Sequence, residues 1–159
     1  MFETVVIATD GSTSAERAVH VALDVADRFD ATVHALYVLD TDEVGGSPEP
    51  VREDFEAALV DAGERALATV ETAAPSGVGI ETAVREGVPA AEIVGYAESV
   101  DADLVATGTR GRHGEHSFRL GSVAEATVRR CPVPVLTVRQ LVDGDDGDPA
   151  GAAGGRSVS

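Results

Sequence analysis

Five short apolar runs, separated by segments of helical length, constrain this chain more than any other feature of its sequence. TVVIA at 4–8, ATVHALYVL at 31–39 and DLVAT at 103–107 are nearly continuous in apolar residues, the pattern of strands buried on both faces. VPVLTV at 133–138 is the last run. The run near 79–85 differs: Ile80, Thr82 and Val84 alternate with Glu81, Ala83 and Arg85, which predicts one wetted face or an edge position.

Between these runs the period becomes helical. Ala15, Ala18, Val19, Ala22, Ala26 and Phe29 form one stripe, preceded by Thr13 and Glu16 as a capping box. DTDEVGGSPEP at 40–50 reads as a loop. Val51, Phe55, Ala58, Leu59, Ala62, Ala66, Val70 and Ala73 predict the core face of a helix over 51–73. Pro89 opens a helix to about residue 100, proline being tolerated in a first turn. A last helix over 122–131 ends with Arg129 and Arg130, which suit its negative dipole end. The residues that follow have almost nothing to bury. A single domain at 1–141 with a disordered, acidic, Gly-rich tail at 142–159 is therefore expected.

Strands alternating with helices predict an α/β fold, a five-stranded parallel sheet covered on both faces. Right-handed crossovers leave few arrangements. An edge position for the third strand and central positions for the first and fourth give the order 3-2-1-4-5. That order reverses between strands 1 and 4, and open α/β sheets bind ligands outside the carboxyl ends at such a point. The segments emerging there are ATDGSTS and GTRGRHG.

The second of these belongs to GTRGRHGEHSFRLGS, residues 108–122, with glycines at 108, 111, 114 and 121. Gly108 and Gly111 would let backbone N–H groups approach a phosphate. Gly121 and Ser122 would open a helix whose free N–H groups and dipole favour an anion. Arg110 and Arg112 add positive charge, and the parts fit a polyphosphate cradle. Other phosphate signatures fail on spacing. A Walker A loop needs a lysine and the chain has none, and no GxGxxG follows the first strand.

Several residues admit a plainer role. Ser122 and Glu125 also fit a capping box, and Asp10 serves equally as a helix cap or as a group near ribose or metal. His113 and His116 lack a third ligand, so no metal site is expected. His20 and His34 are expected to pack or face solvent. Cys131, the single cysteine, reads as a small buried hydrophobe in a reducing compartment.

Charge excludes whole classes of partner. Twelve basic residues, all arginine, stand against 28 acidic ones for a net charge of −16. Such a surface repels nucleic acid and anionic membranes. No apolar run approaches a membrane span, and MFETVVIATD reads as a first strand and not as a signal peptide, so a cytoplasmic location is expected. The acidic, lysine-free composition is similar to that of proteins from a high-salt cytoplasm; an acidic protein of a GC-rich genome is the alternative.

The chain resembles the universal stress protein family, of the adenine-nucleotide-binding kind. The family motif G-x2-G-x9-G-[ST] is matched by Gly108, Gly111, Gly121 and Ser122. The likeness extends over VVIATDGSTSAERA, HALYV, the REG at 85–87 and SVAEATVRRCPVPVLTV, and spans residues 1–139. It implies ATP at the switch point, with or without Mg²⁺. Ala8, Thr9 and Asp10 would line the nucleoside side and the backbone of Val38 would meet the adenine. Gly108, Thr109, Arg110, Gly111 and Arg112, with Gly121, Ser122 and Val123, would hold ribose and phosphates. Glu115, Ser117 and Arg119 depart from the family pattern, which has Leu, Arg and an apolar residue there.

Two functions follow from this resemblance. One is an ATP-dependent regulator in a stress response; the other is a related ATP pyrophosphatase or nucleotidyl transferase. The enzymes need an SGGxDS-like loop where this chain has ATDGSTS, with one glycine. Ser12 and Ser14 have no His or Lys at motif spacing, so ATP turnover is expected to be slow or absent. Family members usually form homodimers, and the open apolar edge at 133–139 is where this chain would pair. Pro132 and Pro134 lack N–H donors, which concentrates that pairing on 135–139, with Val135, Leu136 and Val138 in contact.

Overall fold

A computed structural model of the chain describes residues 2–46, 48–109 and 120–139. The elements in chain order are β1 (Thr4–Ala8), α1 (Thr13–Phe29), β2 (Thr32–Asp40), α2 (Thr41–Gly45), α3 (Glu49–Ala73) and β3 (Ile80–Gly87). They continue with α4 (Pro89–Ser99), β4 (Leu104–Gly108), α5 (Ser122–Arg130) and β5 (Val135–Val138). The strands form one parallel sheet in the order β3-β2-β1-β4-β5, as the alternation predicts.

The apolar runs occupy the centre because both of their faces are covered. Val5, Val6 and Ile7 of β1 are fully buried, and so are Val105 and Ala106 of β4. Alternate residues enter two cores. Ile7, Val33 and Tyr37 pack with Val19 and Leu23 of α1 and Leu59 and Val70 of α3. Val6, Leu36 and Val105 pack with Ile93 and Tyr96 of α4 on the other face. Each such side chain removed from water contributes ~1.5–3 kcal/mol before conformational entropy is subtracted.

Beneath the second core, His34 Nδ1 and the Tyr96 hydroxyl hydrogen-bond at 2.9 Å. Arg85 lies 5.0 Å from the centre of the Tyr96 ring. Burial raises the Tyr96 phenol above its ordinary 10.0, opposed by Arg85 and reinforced by Glu81. His34 is thus a packed residue, while His20 faces solvent. Cys131 is half-buried at the end of α5.

The structure corrects several local expectations. Residues 41–45 form the short helix α2 and not a loop, because the Asp40 carboxylate accepts from Asp42 N at 2.9 Å and Val44 is buried. The buried face of α3 is Leu59, Gly63, Ala66, Leu67 and Val70; Val51 and Ala58 are exposed. Gly63 replaces its neighbours on that face because a Cβ there would fall onto the ring of buried Tyr37. Phe29 is 48% exposed and stacks edge-on against Phe2 instead of entering the core.

Both expected capping boxes are one residue out of place. Ser12 and Gly121 are the N-caps of α1 and α5, so Thr13 and Ser122 already lie inside their helices. Glu125 pairs with Arg129 instead, at 2.9 Å. The edge position of β3 is as expected, but its strict alternation is not, since Ala83 is half-buried and Val84 is 44% exposed. The tail at 142–159 and the histidines 113 and 116 lie outside the described residues.

Two glycines of helical interiors should respond oppositely to alanine. Gly63→Ala overpacks against Tyr37 and should lower the stability by ~1–3 kcal/mol. Gly95, on the exposed face of α4 with nothing within 4 Å of its missing Cβ, should stabilise by ~0.5–1 kcal/mol when made alanine. Urea denaturation of the two variants beside the parent checks both signs.

Candidate functional site

A cavity of about 320 Å³ opens at the carboxyl ends of the strands, at the switch point. Ala8 of β1 and the Thr9 and Asp10 that follow it border the cavity, with Leu36 and Val38 from β2, and Thr107 and Gly108 from β4. Asp40 and Glu43 stand on one side, Pro89 and Ile93 of α4 on another, and Gly121 to Ala124 at the start of α5 close it.

The turn after β1 is built by its own polar side chains. Thr9 Oγ1 accepts from Gly11 N at 3.1 Å, and Asp10 Oδ1 accepts from Ser12 N at 2.9 Å. Gly11 has φ of 80°, the left-handed region in which glycine is strain-free. Asp10 therefore shapes the entry to α1 while its half-buried carboxylate borders the cavity. Of the two roles considered for it, the helix cap falls to Ser12, and Asp10 braces the turn from two residues before that cap.

Strand register exposes backbone groups to the cavity. Thr32 N donates to Glu3 O and Leu36 O accepts from Thr9 N, so even-numbered residues of β2 turn their N–H and C=O towards β1. Odd-numbered ones face β3, as Val33 N to Gly79 O requires. The β1–β2 pairing ends at Ala8 and Leu36, whereas β2 runs on beside β3 to Asp40. The amide and carbonyl of Val38 therefore point to the side that β1 has left. On β4, Val105 N donates to Pro134 across β5, which turns Gly108 towards the β1 side, beyond the last β1–β4 pair.

At the opposite wall, Gly121 N donates to Thr109 O at 2.6 Å, tying the start of α5 to the end of β4. Gly121, the N-cap of α5, has no side chain with which to cap the first turn, and no described side chain does so. The leading N–H groups of α5 are available to an anion in the cavity. The described charged residues around the cavity are Asp10, Asp40 and Glu43, all acidic.

Most of the site residues expected from the sequence are brought together. Ala8, Thr9, Asp10, Val38, Gly108, Gly121, Ser122 and Val123 border one cavity, and Thr109 bonds to Gly121 beside it. Arg110, Gly111 and Arg112 lie outside the described residues. Sequence reasoning missed Asp40 and Glu43, which came with the unrecognised α2, and Pro89, read only as a helix start. It also gave Gly108 an incomplete reason. A Cβ there would sit 2.6 Å from the Ser14 carbonyl oxygen, so close packing of α1 on β4 already demands glycine.

The sequence model of the universal stress protein family matches residues 1–139. A universal stress protein of Methanocaldococcus jannaschii is 41% identical over 142 residues, covering 88% of this chain and 84% of that protein. Among solved structures, a universal stress protein from Lactobacillus plantarum has a TM-score of 0.72 at 28% identity, over 87% of this chain and 98% of that one. A universal stress protein solved in complex with cAMP has a TM-score of 0.65 at 27% identity, over 88% and 98% of the two chains.

The packing role of Gly108 has a direct consequence. Gly108→Ala should cost ~1–3 kcal/mol of stability in the ligand-free protein, because backbone, not a flexible side chain, receives the new methyl. Unchanged thermal and urea midpoints would mean that α1 yields without cost.

Proposed function

The chain belongs to the universal stress protein family, and from that premise we propose that its switch-point cavity binds ATP and that occupancy regulates the protein in a stress response. The observation that carries the reading is that Val38, with its backbone turned to the gap beside β1, and the first turn of α5, which opens on Gly121, border the same cavity. An adenine edge presents a donor and an acceptor side by side, matching an amide and a carbonyl of one residue. Phosphates match helix N–H groups. The cAMP complex of a relative supports an adenine nucleotide as the ligand class.

In this reading Ala8, Thr9 and Asp10 flank the nucleoside, and Gly108, Thr109, Gly121, Ser122 and Val123 surround ribose and phosphates. Arg110, Gly111 and Arg112 complete the phosphate side. No group of three His, Cys, Asp or Glu side chains among the described residues is placed to hold a metal. Mg²⁺ in this reading would enter with the triphosphate, neutralising part of its charge.

Ser122→Glu separates binding from folding. A carboxylate in a first helical turn favours the helix dipole but opposes a phosphate. The variant should keep the parent's stability and bind ATP at least ~tenfold more weakly, ~1.4 kcal/mol, in calorimetry. Equal affinity would reject the phosphate position. In the same samples, phosphate release with Mg²⁺ should match background over an hour; turnover lost on Asp10→Ala would move the protein to the hydrolase class.

We also propose a homodimer through β5. Because Pro134 faces β4, Val135 and Thr137 turn their backbone groups outward, while the Arg139 carbonyl accepts from Arg17 Nη1 at 2.8 Å. Val138 is 7% exposed within its own chain and contributes to folding before any interface. Thr137→Pro removes one outward donor without breaking the β4 ladder. Light scattering should find the parent dimeric and the variant largely monomeric; a monomeric parent at high salt, or a fully dimeric variant, rejects this edge.

A further inference from the structure

We infer that β3 is a second self-pairing edge, at which two copies of the chain join their sheets antiparallel about a two-fold axis through Ala83. β3 ends the sheet on the side opposite β5 and runs for eight residues, against four in β5. Val33 N donates to Gly79 O, so odd-numbered residues of β3 turn their backbone towards β2. Ile80, Thr82, Val84 and Glu86 therefore present N–H and C=O groups outward. Glu81, Thr82, Val84, Arg85 and Glu86 are all exposed, so no described element covers this edge.

The side chains of the strand are complementary to themselves. Ala83 packs on the α4 side of the sheet and Ile80 on the α3 side. Glu81, Ala83 and Arg85 thus share one face, and Thr82, Val84 and Glu86 the other. A two-fold contact sets residue i against j of the second copy and j against i. With the axis at Ala83, Glu81 meets Arg85 of the second copy, and Arg85 meets its Glu81. These are non-hydrogen-bonded positions, where opposed Cα atoms lie ~4.5 Å apart, and alanine at the axis adds no bulk. Thr82 and Val84 exchange the outward hydrogen bonds, and the pairing covers Val84, which is 44% exposed in the single chain.

Charge also selects the register. Moving the axis by one residue either way sets both charges against uncharged residues. Moving it by two sets Glu81 against Glu81 or Arg85 against Arg85. Charges on an edge strand ordinarily ward off other strands. Opposite charges placed evenly about a small residue instead admit one partner, an inverted copy of the same strand. Neither Glu81 nor Arg85 forms an ion pair among the described residues; Arg85 lies on this face over Tyr96, 5.0 Å from the ring centre.

Exposed ion pairs add little and the whole surface is acidic, so this pairing needs concentrated protein. Sedimentation velocity on Thr137→Pro keeps β5 out of the measurement whether or not that edge pairs. As concentration rises, this chain should pass reversibly from monomer to dimer. In that background Glu81→Arg or Arg85→Glu alone opposes like charges and should weaken the dimer at least ~tenfold. Mixing the two variants in equal amounts should restore it, because the arginines of one then face the glutamates of the other. Val84→Pro removes an outward donor, leaves the β2 ladder intact and should give monomers. Thermal midpoints of all variants separate lost pairing from lost folding. A Thr137→Pro chain monomeric at every concentration overturns the inference. So do single charge variants that dimerise like their background or stay apart when mixed, and a folded Val84→Pro chain that still dimerises.

Discussion

β1 stops at Ala8 while both of its neighbours continue, β2 to Asp40 and β4 to Gly108. Every other feature of the site depends on that difference in length. A buried backbone N–H or C=O left without a partner is costly, so strands that outrun a neighbour need something polar in the gap. The turn Thr9-Asp10-Gly11-Ser12 satisfies its own groups through two side-chain acceptors and diverts the chain into α1. The flanking strands are then left facing a cavity, with α5 arriving opposite. The doubly wound order places the cavity where crossovers depart in opposite directions, and so no helix fills it.

Charge at this cavity divides by kind. Its described side chains bring only negative charge, from Asp10, Asp40 and Glu43. Among the described residues, its positive potential comes from peptide dipoles at the head of α5, fixed by the fold at whatever pH the side chains titrate. Backbone donors are also indifferent to the absence of lysine from the chain. A phosphate site of the kind proposed, built this way, tolerates an acidic protein, whereas a lysine-dependent Walker loop would not fit this composition.

What the sequence made legible were features with a period. Strand order followed from four continuous apolar runs and one alternating run, and the site followed from glycine spacing placed on that order. Features that depend on one tertiary neighbour were not legible. The face of α3 turns on Gly63 meeting Tyr37, a residue 26 positions away, and nothing in a helical stripe marks a glycine as the contact point. In DTDEVGG the glycines signalled a loop, but an Asp cap and a single buried Val44 suffice for one helical turn. Ser12 and Gly121 adopt extended backbone at their caps, which shifted both apparent capping boxes by one residue. Asp40 and Glu43 were missed for that reason, because residues assigned to a loop were not placed against the end of β2.

Salt should act on the fold and on the cavity with the same sign. The ion pairs Arg28–Asp24, Arg65–Asp61 and Arg129–Glu125 are exposed i, i+4 pairs, worth ~0.3–0.5 kcal/mol each and weakened by salt. Against them stands the mutual repulsion implied by a net charge of −16, which destabilises the compact state and is also screened. At 0.1 M ionic strength the Debye length is already ~10 Å, so repulsion between distant carboxylates falls away before close pairs lose much. The two cores, which carry most of the stability, gain further from salts excluded from the protein surface. The triphosphate of the proposed ligand, approaching Asp10, Asp40 and Glu43, would meet the same repulsion, relieved by the same screening, while the α5 amides would act at contact distance and keep their attraction. A chain this acidic can therefore hold both its sheet and an anionic ligand, provided the surrounding ions are concentrated enough to hide its surface.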